Sequence, residues 1–248
     1  LGYGTHAVLE RHEAIAYKPQ NCVEIKEVSD VDTQYAEVAD EIIRLVKEED
    51  VLLEDILIID LSALNLQDDF NDFKLAFNEA KERNNHNEYR VHLVNKDNAL
   101  KFKRKGSITF TTIFRAKGNE ANIVFVVNAH KMSNMLTYSR NRLFTAMTRA
   151  KFKTYVYGVD GEVMETLKAE YQEVRDKNYL LDFVYPTKDV LQEMKSIAKV
   201  ESEKIDTIQK VYKDVGNDTD ITLEVLKEQI GVASIKDLIK ELEKYSDE

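Results

Sequence analysis

Ile108-Thr109-Phe110-Thr111-Thr112-Ile113-Phe114-Arg115-Ala116-Lys117-Gly118-Asn119-Glu120, followed at Ile123–Val127 by a run of five apolar residues, is the stretch on which the fold turns. Its first five residues are β-branched or aromatic, the composition of a strand. The run IVFVV is the continuous apolar segment of a strand buried on both faces. Between the two, a basic loop turns through Gly118 and presents Glu120.

Working outward, the same strand signals alternate with helical ones. Cys22–Val28 alternates apolar and polar residues, as a half-buried strand does. Ser29 or Asp30 can cap a helix whose one face carries Val31, Tyr35, Val38, Ile42 and Leu45 or Val46. Asp55–Ile59 is a short buried strand, Phe70, Phe73, Phe77 and Ala80 mark a second amphipathic helix, and Tyr89–Val94 is the next strand. Downstream, Ser139–Ala150 reads as a helix, Thr154–Tyr157 as a strand and Glu162–Arg175 as a helix beside the sheet. Leu180–Val184 suits an edge strand. Such alternation predicts an α/β fold, a mostly parallel sheet flanked by helices and joined by right-handed crossovers.

The sequence divides into a connector over residues 1–20, ending near Pro19, a domain over 21–186 with no proline between Pro19 and Pro186, and a small helical appendage over 187–248. In the appendage, Leu223–Ile230, a turn at Gly231–Ala233 and Ser234–Tyr245 outline a helical pair, with Ser234 as its cap. No run of about 18 apolar residues exists, so no membrane span is expected. With no charged-then-apolar leader, the expected location is cytoplasmic. A first residue of Leu1 rather than methionine suggests a piece of a longer protein. The single cysteine, Cys22, reads as an inert core thiol, and His6 and His12 are poorly spaced for a shared metal.

Charge is unevenly placed. The chain has a net charge of −10, yet residues 98–159 hold twelve basic side chains against one acid, Glu120. That asymmetry is the footprint of a phosphate-facing surface on an acidic body. No P-loop signature G-x-x-x-x-G-K-[ST] occurs, nor H-E-x-x-H, paired C-x-x-C or G-x-S-x-G, so no self-sufficient catalytic or metal site is expected. Two segments inside the basic block do carry chemistry. Thr111, Thr112 and the loop with Arg115 and Lys117 can hold a phosphate through hydroxyls, amides and charge, and Glu120 beside Gly118 can accept from a sugar hydroxyl. The second segment, Arg140–Ala150, puts Arg142 and Arg149 seven residues apart. On a helix they would point the same way, about 10 Å apart along the axis. An arginine held on a packed helix is preorganised to stabilise charge on a transferring phosphoryl group.

Thr112-Ile113-Phe114-Arg115-Ala116-Lys117-Gly118-Asn119-Glu120 and Leu143-Phe144-Thr145-Ala146-Met147-Thr148-Arg149-Ala150 together resemble the fifth and sixth motifs of superfamily 1 helicases of the UvrD and RecD type. The resemblance covers residues 108–157 strongly and 22–157 through strand order. It implies a RecA-like second motor domain that completes an ATP site shared with an N-terminal P-loop domain, which would hold most of the ATP and magnesium. In that frame Arg149 is the arginine finger, Gly118, Glu120 and Arg142 meet the nucleotide, and Thr111, Thr112, Arg115 and Lys117 contact a nucleic-acid strand, single or duplex and expected to be DNA. Two positions depart from the family pattern. Phe114 stands where many members have histidine, and Asp60 stands where the fourth motif often has an arginine. These departures leave a second reading open, a non-catalytic nucleic-acid-binding or protein-interaction module that keeps the fold without the motor.

Overall fold

The computed structural model describes residues 6–9, 22–62, 66–95, 101–132, 137–177, 181–184 and 186–192. In chain order its elements are β1 (His6–Leu9), β2 (Val23–Val28), α1 (Val31–Glu48), β3 (Ile56–Asp60), α2 (Leu66–Asn84), β4 (Arg90–Val94), β5 (Ser107–Thr112), α3 (Ile113–Ala116), β6 (Ala121–Val127), α4 (Thr137–Met147), β7 (Ala150–Val159), α5 (Glu162–Asp176) and β8 (Leu181–Val184). Six of the strands form one sheet in the order β2-β7-β6-β3-β5-β4, and every neighbouring pair is parallel. The α/β architecture expected of a RecA-like domain is present.

Strand pleating sorts the core into two layers. Ile56, Ile58, Phe110, Phe125, Tyr155 and Tyr157 face α1 and α2, where Tyr35, Val38, Ile42, Phe73 and Phe77 are buried. Phe73 stacks on both Phe77 and Phe110 with ring centroids 5.6 Å apart. Leu57, Ile59, Val124, Val126 and Val156 face the other way, onto Ile113 and Ala116 of α3, Leu143 and Ala146 of α4, and Met164 of α5. Central β3 is buried along its whole length, which explains its unbroken apolar run. Asp30 caps α1, its carboxylate accepting from the Thr33 amide at 2.7 Å.

Three expectations are corrected. The helix expected over Ser139–Ala150 ends at Met147, and Ala150 already belongs to β7, paired with Ala121. His6–Leu9, expected within a connector, is a strand. Its antiparallel partner is Leu181–Val184, so β8 is not an edge strand of the parallel sheet. The chain divides into two compact units, Ala14–Arg175 and a second formed by Leu1–Glu13 with Asp176–Glu248. The helical pair expected over 223–245 lies outside the described residues.

Candidate functional site

Parallel pairing gives the sheet two chemically distinct edges. At the carboxyl edge Asp60 ends β3, in register with Thr112 of β5 on one side and Val127 of β6 on the other. Open α/β sheets ordinarily take ligands beyond this edge. At the end of β3 the place is filled by the chain's own polar side chains. Asp60 Oδ1 accepts from the Ser62 amide and from Asn128 Nδ2, both at 2.8 Å. Asn128 also donates to the Tyr35 hydroxyl at 3.1 Å, and its backbone N–H and side-chain oxygen exchange bonds with the Gln34 amide. The Tyr35 hydroxyl donates onward to Asp69 at 3.1 Å, and Lys131 lies 3.6 Å from the same carboxylate.

Ser62 sits between the two carboxylates. Its hydroxyl is 3.0 Å from Asp60 Oδ2 and makes a second, very close contact with Asp69 Oδ2. One hydroxyl proton serves only one of these bonds. The geometry is satisfied when Asp60 carries a proton, donates to Ser62 Oγ, and Ser62 donates to Asp69. Electrostatics agree: burial, with the Asp69 charge beside it, pushes the Asp60 carboxyl up to about 7. Asp60 is thus a locking residue of the β3 terminus, not a phosphate contact.

The amino edge carries the other chemistry. β6 starts at Ala121 and β7 at Ala150, and the Ala121 amide donates to the Arg149 carbonyl at 3.0 Å. That bond ties the last residue before β7 to the first residue after Glu120, so the two motifs meet here. Lys151 Nζ reaches Glu120 at 3.8 Å. Pairing shifts register between Ala121 and Ile123, which gives β7 one extra residue beside Arg149. Such bulges re-aim side chains at strand ends. Arg149 folds back on the final turn of α4, with Nε donating to the Thr145 carbonyl at 3.0 Å and Nη2 to Thr148 Oγ1 at 3.4 Å. Those bonds use two of its five donors. Gly118 turns the preceding loop at φ +86°, a conformation that disfavours side chains, although a Cβ there would meet nothing.

The remaining expected residues fall in different places. Arg115 and Lys117 are exposed, on α3 and just after it. Thr112 is the N-cap of α3 and makes no side-chain capping bond. Thr111 is fully buried, and its hydroxyl donates to the Val94 carbonyl at 2.7 Å, which ties β5 to the end of β4 instead of facing a ligand. Arg142 does not join Arg149. Because α4 ends before Arg149, the seven-residue helical spacing does not apply to the pair. Arg142 is buried, donates to the Leu61 carbonyl at 3.0 Å, and lies 5.1 Å from the Phe114 ring centroid. Phe114, where the family often has histidine, therefore serves as a platform for a buried guanidinium. A cavity of about 610 Å³ opens between β2, β7 and α5, lined by Glu24, Lys153, Lys168, Tyr171 and Arg175 among others. Its lysines are engaged within the chain, Lys153 with Glu24 at 2.9 Å and Lys168 with Glu27 at 2.6 Å.

Gln34, Ser62, Asn128 and Lys131 were not singled out by sequence. The one available signal was Asn128, a polar residue directly after the buried IVFVV run, and the structure holds it at φ 61°. Among the described residues no group of three or more His, Cys, Asp or Glu side chains could hold a metal ion, and no helix is long and apolar enough to cross a membrane.

Comparison with known proteins follows the same segment. Residues 107–157 match the family described as the UvrD-like helicase C-terminal domain. No curated protein matches the chain. One solved structure, described as the C-terminal domain of a possible DNA helicase from Lactobacillus plantarum WCFS1, shares 18% identity at a TM-score of 0.37, covering 56% of this chain and 73% of the other. The matched stretch runs from β5 to β7 and contains both the Glu120 loop and Arg149, so it is over these residues that the chain is similar to that family.

Proposed function

We propose that this chain is the second motor half of an ATP-dependent superfamily 1 helicase or translocase, acting on DNA, and inactive toward ATP on its own. The observation that carries the reading is the bond from the Ala121 amide to the Arg149 carbonyl. It brings the Gly118–Glu120 loop and Arg149 to one sheet edge, where a nucleotide held by a partner domain could meet them.

The residues fit that task. Arg149 is half-buried and held at its Nε, with three N–H donors left for a developing phosphoryl charge. Glu120 is exposed and acceptor-only when ionised, suited to a ribose hydroxyl. Arg115 and Lys117, exposed just past β5, would present charge to a phosphate backbone, with the largely buried Thr112 closing the strand beside them. ATP, with magnesium, would supply the phosphoryl-transfer chemistry from the P-loop of an N-terminal RecA-like domain. This chain's part would be to stabilise charge across the cleft and to couple the strand-facing α3 turn to it. Arg142, buried against Phe114, holds α4 to α3 and is withdrawn from the nucleotide set. Asp60 lies in a satisfied buried network, so it does not by itself favour the non-catalytic module.

The test is ATP turnover by the protein with its N-terminal domain, with and without single-stranded DNA. Arg149→Ala should lower stimulated turnover by about 10³-fold, the usual scale for an arginine finger, without changing nucleic-acid affinity. Turnover at the wild-type rate in that variant would remove Arg149 from the role.

A further inference from the structure

The basic block that the sequence presents as one unit is split by the fold. Arg115 and Lys117 follow the carboxyl end of β5, whereas Lys101, Lys103, Arg104 and Lys105 precede its amino end at Ser107. A six-residue strand separates the two groups by about 20 Å. Arg90, first residue of β4, pairs with Ser107 and adds a fifth cation to the amino-end corner. The corner is also distinct from the Glu120–Arg149 edge, because β3 and its leading turn Leu53–Asp55 intervene between β5 and β6.

This corner is built. The turn Arg104–Ser107 closes with the Ser107 amide donating to the Arg104 carbonyl at 3.1 Å, and Gly106 takes φ +66°. The Gly106 amide donates to Glu54 Oε2 at 2.8 Å. The Phe102 carbonyl accepts from both Thr109 Oγ1 at 2.9 Å and the His92 ring at 3.0 Å. Backbone atoms are therefore fixed while the charged side chains remain exposed. Lys103 lies 3.6 Å from Asp55, whereas Arg90, Lys101, Arg104 and Lys105 form no ion pair among the described residues. Among the described residues the carboxylates seen against these cations are Glu54, which holds the Gly106 amide and lies near Lys103 and Lys105, and Asp55 beside Lys103.

We propose that the Arg90–Lys101–Lys103–Arg104–Lys105 corner is a second nucleic-acid contact, reading the phosphate backbone without regard to sequence. A single small anion would call for convergent donors in an enclosed pocket. Here the cations are spread across two strands and a turn, which suits a polymer of repeated charges. A protein partner would call for an apolar centre to the patch. None of the exposed large hydrophobic side chains lies on β4, β5 or the 101–106 turn. The inference stands apart from the motor reading, since it requires neither Arg149 nor a second domain.

The experiment measures binding of a fluorescein-labelled single-stranded oligonucleotide to the 248-residue chain by anisotropy, between about 50 and about 200 mM KCl. Arg104→Ala with Lys105→Ala removes two exposed charges and leaves the turn's backbone bonds intact. The double variant should keep the wild-type thermal midpoint. It should bind several-fold more weakly at the lowest salt, and its plot of log Kd against log salt should flatten by about 1.4, near 0.7 per lost phosphate contact. Lys117→Ala, in the other basic group, serves as the separate arm and reports on the motor track alone. No measurable binding by the wild type at the lowest salt, or an unchanged affinity and slope in the double variant, overturns the proposal. So does displacement of the oligonucleotide by polyglutamate binding at this corner, which would assign it to an acidic polypeptide.

Discussion

At the scale of single residues, chemical type and role diverge most at the two threonines. Thr111 and Thr112 are neighbours of identical chemistry, yet strand pleating points them to opposite faces. The Thr111 hydroxyl is consumed by the Val94 carbonyl inside the sheet. Thr111→Val keeps the shape and leaves that carbonyl without its donor, a loss on the order of 1–3 kcal/mol for a buried group. Its expected signature is a lower denaturant midpoint with unchanged oligonucleotide affinity; weakened binding at full stability would return Thr111 to the nucleic-acid track. Asp60 makes the same point. From sequence it looked like a phosphate clamp turned into its opposite charge, because its partners lie 2, 9 and 68 residues away at Ser62, Asp69 and Asn128. Only the folded register brings them together. Local pattern carries no trace of such a network, whereas Glu120 and Arg149 sit in contiguous motifs, the kind of signal from which a sequence can nominate a site residue.

Among elements, the ones with clean periodicity came through and the ones decided by distant pairing did not. The spacing of Tyr35, Val38 and Ile42, and of Phe70, Phe73 and Phe77, marks one buried helix face each, and both faces are buried as expected. The end of α4 was misplaced because Thr145–Ala150 contains no glycine or proline to stop a helix. What stops it is pairing of Ala150 with Ala121, a contact between elements. β1 was missed for a related reason: four residues offer almost no period, and the partner strand lies far along the chain. A close approach between elements also limits β7. A Cβ on Gly158 would sit 2.4 Å from Met164 Sδ and 2.9 Å from the His130 backbone nitrogen. The thioether can swing aside, but the backbone of the Ala129–Lys131 turn cannot readily do so. Gly158→Ala should therefore destabilise the sheet by about 1–3 kcal/mol through overpacking, read as a lower thermal midpoint. A midpoint at the wild-type value would mean that the turn yields.

At the scale of the whole molecule, the two groups with the largest opposed shifts among the described carboxylates and histidines are the half-buried His130 and the buried Asp60. His130 Nδ1 accepts from the Val159 amide at 3.1 Å, which requires an unprotonated nitrogen. Burial, with Lys131 nearby, lowers the ring from 6.5 to about 4. A depressed histidine stabilises the fold above 6.5 and loses that contribution as pH falls toward 4. Asp60, raised from 3.8 to about 7, behaves in the opposite sense. The folded chain binds its proton more tightly than the unfolded chain, so the Asp60 contribution is full below 3.8 and disappears as pH rises through 7. Between about 4.5 and about 6.5 the His130 and Asp60 slopes oppose each other, and His92, also lowered by burial, adds stability as pH rises toward 6.5. Below that window the lowered carboxylates, among them Glu24, Glu41 and Glu54, lose their partners' stabilisation as they protonate. Asp60→Asn places an amide donor toward Ser62 Oγ and an acceptor toward Asn128, as the protonated acid does, while removing the titration. Relative to wild type, the variant should gain stability above pH about 7 and fall progressively behind as pH drops toward about 5, where the His130 slope is no longer offset. Urea midpoints of both proteins at those two pH values decide it. A difference between the proteins that is the same at both would mean that Asp60 folds ionised, and that the proton shared with Ser62 and Asp69 is not there.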